Sequence, residues 1–477
     1  MTEFHEDRYF DPDPTIRKYA REIYDETRAL PIVSPHGHVD AKLLASNEEF
    51  SDPASLIVTP DHYVLRLLYS QGVSLESLGV APIDGAGPVA ETDPRKIWQI
   101  FADHWHLFRA TPTRAWIEYE LREVFGIKCQ LGADTANEVY DSIAERLQSP
   151  EFRPRSLLKR FNIEVLATTD GASDSLEHHR ALHSAGLETR IIPTFRPDAL
   201  FRVAAPGWRA ELDKFAQVAG RQIRSYVDFI GAIARRRAEF KAVGATATDH
   251  AVLSPYTEEM SDADAHHVFL AATRGAATED DEARFEAHLL MEMAAQSTED
   301  GLVMQLHAGA LRNHNQPVFR RFGPDRGGDI PVLTEFTRNL RPLLNAYGND
   351  PRFRMIVFTL DESTYSRELA PLAGHYPALL LGAPWWFNDS IEGMMRFRRA
   401  TTETAGIENT AGFTDDTRAF CSIPARHDLA RRVDANYLAG LVARHVIDKT
   451  DAREMARLMA YDLAKRAYRL TEESDDK

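Results

Sequence analysis

Cysteine is nearly absent from this chain: Cys129 and Cys421 are the only two in 477 residues. A pair that sparse builds no disulfide framework and suits a reducing compartment. Long apolar runs are missing as well. The longest nearly uninterrupted one, residues 378–387, is about half of the ~20 residues that span a bilayer. The opening MTEFHEDRYF has neither the basic start nor the apolar stretch of a secretion signal. Positive charge is also scarce. The formal charge is −16 and no basic stripe stands out, which argues against nucleic acid, because phosphate binding needs a basic footprint. These absences lead to the expectation of a cytoplasmic protein with neither membrane nor nucleic acid as a partner; a homo-oligomer is compatible with the sequence.

What is present is ordinary globular composition, 44% hydrophobic and 27% charged. The length fits two to three domains, or one large α/β barrel with an insertion. Eight short runs read as buried strands: Pro31-Ile32-Val33 with the residues after it, then 163–169, 189–195, 240–247, 301–308, 353–360, 378–384 and 409–416. They are too short for confident helices and most are aliphatic or β-branched. Charged segments with helical spacing, such as 209–240, separate most of them. This alternation predicts an α/β fold, a (β/α)8 TIM-type barrel. No G-x-G-x-x-G turn follows any strand, which disfavours a doubly wound dinucleotide sheet. The organisation expected is residues 1–40 as an N-terminal helix and first strand, 41–160 as a helical insertion in the first βα connection, and 161–477 as the remaining barrel and C-terminal helices. Residues 81–91 read as a linker, and the acidic tail 472–477 as frayed.

In such a barrel the chemistry gathers at the C-terminal ends of the strands. His36-Gly37-His38 ends the first, and Asp415-Asp416-Thr417-Arg418 ends the eighth. On a strand the two histidines share a face with Cα atoms about 6.5 Å apart, and two imidazoles so placed converge on a cation. They read equally as polar residues in a turn when taken alone. Asp416 supplies a third ligand and favours the metal. Asp249-His250 is either a site pair or a structural one, and His179 with His183 reads as a solvated helix face.

Longer motifs then match a known pattern. DHYVLR (61–66), TFRPD (194–198), MQLHAGALRNHN (304–315), GAPWWFND (382–389) and DTRAF with PARHDLARR (416–432) resemble the uronate isomerase (glucuronate isomerase) family of the amidohydrolase superfamily. The motifs run from residue 31 to about 440 and are more specific than H-x-H. Two departures stand out: D-D-T-R replaces the usual T-D-S-R, and P-A-R-H carries one residue more than the usual P-R-H, which leaves Arg426 and His427 without a role.

The resemblance implies interconversion of aldohexuronates and ketohexuronates in glucuronate catabolism, by proton transfer between C2 and C1 through an enediol. It implies Asp416, Tyr63 and His62 as proton-transfer groups and Arg418 as the polariser of the carbonyl. Arg196 would clamp the substrate carboxylate, with Arg312, Trp385 and Trp386 lining its site. His307 would be a third metal ligand or, preferably, a donor to a substrate hydroxyl. One divalent cation, zinc by its ligand types, is expected on His36, His38 and Asp416, with no nicotinamide or flavin. Two rivals are a metal-dependent hydrolase, for which only Lys241 lies near a middle strand, and a noncatalytic sugar-acid binding protein.

Overall fold

The computed structural model describes residues 4–83, 85 and 87–471. The tail 472–477 and two residues of the 81–91 linker lie outside the described residues. Strands that are buried on both faces need no polar alternation, and the aliphatic runs behave accordingly. Ile32–Ser34, Ile163–Ala167, Val303–Ala308, Met355–Thr359 and Leu379–Leu381 form where the sequence places strands. The third run bends at Pro193-Thr194 into Arg190–Ile192 and Phe195–Arg196.

Apart from a short antiparallel pair, Ala310–Leu311 with Ile330–Pro331, pairing is parallel and follows chain order. One three-stranded sheet joins Val33 to Val165 and Val165 to Arg190. A six-stranded sheet continues it, pairing Asp170 with Phe195, Phe195 with Thr248, Thr248 with Met304, Met355 with Met304, and Met355 with Leu379. Two further contacts extend the series. Leu381 bridges Thr410, and the His38 amide donates to the Thr417 carbonyl at 2.9 Å. One apolar cluster takes a residue from every strand position: Val33, Val165, Ile192, Ala247, Val303, Ile356, Leu380 and Ala411.

Three expectations need correction. The fourth strand is Ala247–Val252, not 240–247. Phe240 is buried on the helix Tyr226–Ala242, which ends at Gly244 in a left-handed turn (φ +103°), so the helical period wins up to that glycine. The segment 209–240 is helical as its spacing reads, in two helices, Trp208–Val218 and Tyr226–Ala242. The eighth run makes an isolated bridge at Thr410 rather than a ladder. His179 is buried and bonds Thr168 Oγ1 at 2.8 Å, tying its helix to the end of the second strand instead of facing water.

Between the first two strands the chain is helical, including His62–Ser70, Pro94–Asp103, Pro112–Tyr119 and Ala136–Leu147. Each of the first three has an Asp or Thr cap that accepts from an amide of its first turn. Among the described residues no helix is long and apolar enough to cross a membrane.

Candidate active site

The first strand stops at Ser34, so His36 and His38 sit in the loop just beyond it rather than on the strand. Their rings still come within 5.3 Å, nearly perpendicular. Gly37 between them is pressed by both neighbours: an added Cβ would lie 3.4 Å from the Thr417 carbonyl and 3.6 Å from that of Ala167. The Gly37 carbonyl accepts from Thr169 Oγ1 at 2.9 Å. A backbone held between the ends of the second and eighth strand runs turns both imidazoles toward Asp416. Asp416 Oδ1 is 3.1 Å from His38 Nε2 and 3.4 Å from His36 Nε2. Asp416 is in the left-handed region at φ +40°, a conformation costing on the order of 1–3 kcal/mol that recurs at functional sites.

Burial opposes charge on Asp416, but His36 and His38 outweigh it and hold the carboxyl well below the usual range. Burial likewise depresses His36, yet the carboxylates of Asp416 and Asp249 raise it overall. His38 is lowered, burial being the larger effect. His36, His307 and Asp416 each offer one atom within 4.8 Å of the others, a spacing a metal ion can bridge. His38 touches Asp416 without joining that set. The donor types, neutral imidazole and carboxylate, suit a divalent cation such as zinc. Among the described residues Asp416 Oδ1 and His307 Nε2 are buried without hydrogen-bond partners, as a cation site leaves them.

His307 and Asp249 come from adjacent strands and form a buried pair, Nδ1 to Oδ1 at 2.6 Å. Asp249 points into the cavity. His250, the next residue, points away and stacks on Phe201, so the pair read from sequence divides between two faces. Arg196 meets both Asp198 (2.7 Å) and Asp249 (3.4 Å). Part of its guanidinium is therefore committed inside the protein, although it still borders the cavity.

The opposite wall is the start of the helix His62–Ser70. Asp61 caps it by accepting from the Tyr63 amide at 2.8 Å, which places His62 and Tyr63 at the cavity edge. Burial, reinforced by Arg418, lowers His62 to about 3, so its imidazole is neutral at neutral pH. Burial raises Tyr63, so its phenol keeps its proton. Trp386 stands edge-on to His62 at 5.3 Å, with Arg312 over its ring at 5.1 Å. Trp385 packs edge-on to His307 at 4.7 Å. Arg418 lies 3.4 Å from Asp325, and Arg312 2.8 Å from Asp329.

Every site residue expected from the sequence therefore borders one cavity: His36, His38, His62, Tyr63, Arg196, His307, Arg312, Trp385, Trp386, Asp416 and Arg418. Asp61, Asp325 and Arg426 border it too and were not anticipated as site residues. Asp61 was legible as a helix cap before an apolar run; nothing local marks Asp325. Lys241 is outside, donating to the Asp300 carbonyl, and among the described residues no lysine lines the cavity.

The family described as glucuronate isomerase matches residues 1–468. The uronate isomerase of Nostoc punctiforme is 54% identical over 465 residues, covering 97% of this chain and 98% of that one. The crystal structure of glucuronate isomerase from Caulobacter crescentus superposes with a TM-score of 0.96 at 48% identity, covering 99% of this chain and 98% of its own. That of uronate isomerase from Thermotoga maritima does so with a TM-score of 0.91 at 30% identity, over 98% of this chain and 100% of its own.

Proposed function

The chain belongs to the uronate isomerase family and interconverts aldohexuronates and ketohexuronates, and we propose how the residues of this cavity divide the work. The reaction takes a proton from C2 of the aldose and returns one to C1, with a proton exchanged between the two oxygens, through an enediol. It needs one group that accepts and returns the carbon-bound proton, one that serves the oxygens, and a cation to stabilise the developing charge.

Asp416 and Tyr63 border the same cavity, the one beside two imidazoles that favour its carboxylate and the other buried so that its phenol keeps its proton, and that juxtaposition carries the reading. Asp416, ionised, takes the proton from C2 and returns it to C1. Tyr63, protonated, gives its own to the C1 oxygen, and His62, neutral, takes the proton from the C2 oxygen and returns it to the neighbouring Tyr63. Arg418 polarises the carbonyl, and Arg196 with Arg312 binds the carboxylate, Trp385 and Trp386 walling the chain of hydroxyls. His36, His38 and Asp416, with His307 beside them, hold one divalent cation, best zinc. When bound it supplies a fixed positive charge that orients substrate oxygens.

The parallel strands close into an eight-stranded barrel, supported by the Thr410 bridge, the His38–Thr417 hydrogen bond and the shared apolar cluster. Residues 41–160 are then its helical insertion, between 1–40 and 161–477, and carry Tyr63 over the barrel mouth. The cysteine content supports a cytoplasmic setting.

The test is incubation of metal-loaded protein with D-glucuronate and with D-galacturonate in D2O, followed by NMR without added nicotinamide. Fructuronate or tagaturonate carrying deuterium at the shuttled carbon supports the reading. No ketouronate after prolonged incubation of folded protein would sink it.

A further inference from the structure

Arg426 is the residue that the P-A-R-H segment left unassigned. It lies in the first turn of the helix Ile423–Ala443 and is 1% exposed. Nη1 donates to Asp389 Oδ2 and reaches the Asp415 carbonyl at 3.4 Å; Nε donates to Ser422 Oγ at 3.2 Å. The guanidinium lies 3.5 Å from the centroid of Trp116 and 5.4 Å from that of Tyr63. Trp116 in turn meets Tyr63 edge-on at 5.4 Å. One buried cation thus joins the helical region, the segment after Leu379–Leu381 and the eighth run at the point where Tyr63 faces the cavity.

The pairing is not that of an ion pair built only for stability. Among the described residues Asp389 Oδ1 is buried without a hydrogen-bond partner. Burial raises the Asp389 carboxyl to about 7 even though Arg426 opposes the rise. Among the described residues Nη2 of Arg426 has no hydrogen-bond partner, and the side chain borders the cavity. Around the Tyr63 phenol stand Asp61 and His62 from its own turn, Asp389, Asp416 and Arg426. The three carboxylates disfavour a phenolate, and Arg426 is the cation that opposes them.

We propose that Arg426 is a positioning residue for Tyr63: it holds the phenol on the cavity wall and supplies the positive charge that steadies the ring when its O–H proton passes to a substrate oxygen and leaves a phenolate. This rests on the reading of Tyr63 as a proton-transfer group. A cation over an aromatic face contributes most when both are withheld from water, as they are here.

The test is a double-mutant cycle on metal-loaded enzyme with Tyr63→Phe, Arg426→Gln and both, each checked for fold by circular dichroism. Arg426→Gln should lower kcat at least ~10-fold with KM within ~3-fold, and add nothing to kcat in the Tyr63→Phe background, since residues acting as a unit are non-additive. Arg426→Lys should regain part of the loss. If Arg426→Gln does not fold, the same cycle is run with Arg426→Lys, which keeps a charge beside Asp389 but not the planar face on Trp116. Multiplicative losses, or normal kcat in the Arg426 variant, overturn this proposal alone. Normal kcat in Tyr63→Phe overturns the reading of Tyr63 and this proposal with it.

Discussion

His307 donates its Nδ1 proton to Asp249 Oδ1 across 2.6 Å, and that single bond decides what the rest of the ring can do. Despite burial, Asp249 is held ionised by His307, Arg196 and His36 and so only accepts. Burial lowers His307, which leaves a neutral ring whose Nε2 is a buried, unpartnered lone pair. A lone pair suits a cation better than it suits donation to a hydroxyl, and this geometry supports the ligand alternative for His307. The carboxylate–imidazole arrangement is the usual way a metal-bound histidine is oriented.

Asp249→Asn should therefore weaken divalent-cation binding about 10–100-fold, the usual effect of losing such a support. Competition with a chromogenic zinc chelator measures it. Unchanged affinity would place His307 outside the cation site.

Asp416→Asn should leave the far-ultraviolet spectrum intact while turnover falls at least ~10²-fold, the scale of a lost acid–base group. Exchange of the C2 proton of D-glucuronate with D2O should slow in parallel. If exchange stays fast while product formation stops, another group removes the proton.

Arg196→Lys keeps a charge near Asp198 and Asp249 but loses the planar fork. KM for D-glucuronate should rise by ~10-fold or more with a smaller change in kcat, because binding common to ground and transition states is lost. The converse pattern, a fall in kcat at constant KM, would move Arg196 from holding the carboxylate to the chemical step.

Glu120 is buried behind Asp61, and burial with the nearby Asp61 charge raises its carboxyl to about 8, above the usual 4.5. The folded state therefore binds a proton that the unfolded state releases between these values. Its contribution favours folding at low pH and is lost as pH rises from about 4.5 to about 8. Glu120→Gln should make the protein more stable relative to wild type at pH 8.5 than at pH 5, by on the order of a few kcal/mol. Urea midpoints at the two pH values check it, and an equal difference at both would refute the assignment.

The strand series and the histidine and aspartate ends of the candidate site were legible in the sequence because both rest on local pattern, and the other candidate residues through the likeness of longer motifs to a family. Val303–Ala308 and Met355–Thr359 are continuous apolar runs bounded by polar residues, as doubly buried strands must be. His36, Arg196 and Asp416 stand at or just beyond the ends of strand runs, where a chain can expose a polar side chain without breaking its core; Tyr63 was marked by the D-H-Y likeness. The misplaced fourth strand shows the limit of local pattern. Lys241-Ala242-Val243 is apolar enough for a strand, and only its packing, with Phe240 buried along the helix, settles the matter.

Tertiary structure decided which charges meet. Asp249 and His307 are paired because Asp249 registers with Gln305, two residues from His307 on the neighbouring strand. Arg426 reaches Tyr63 and Trp116 across more than three hundred residues of sequence, and Asp389 across 37. Local periodicity tells which face a side chain takes; whether that face holds a carboxylate, a ring or a cation depends on long-range register, and so do the ionisation states on which the chemistry depends.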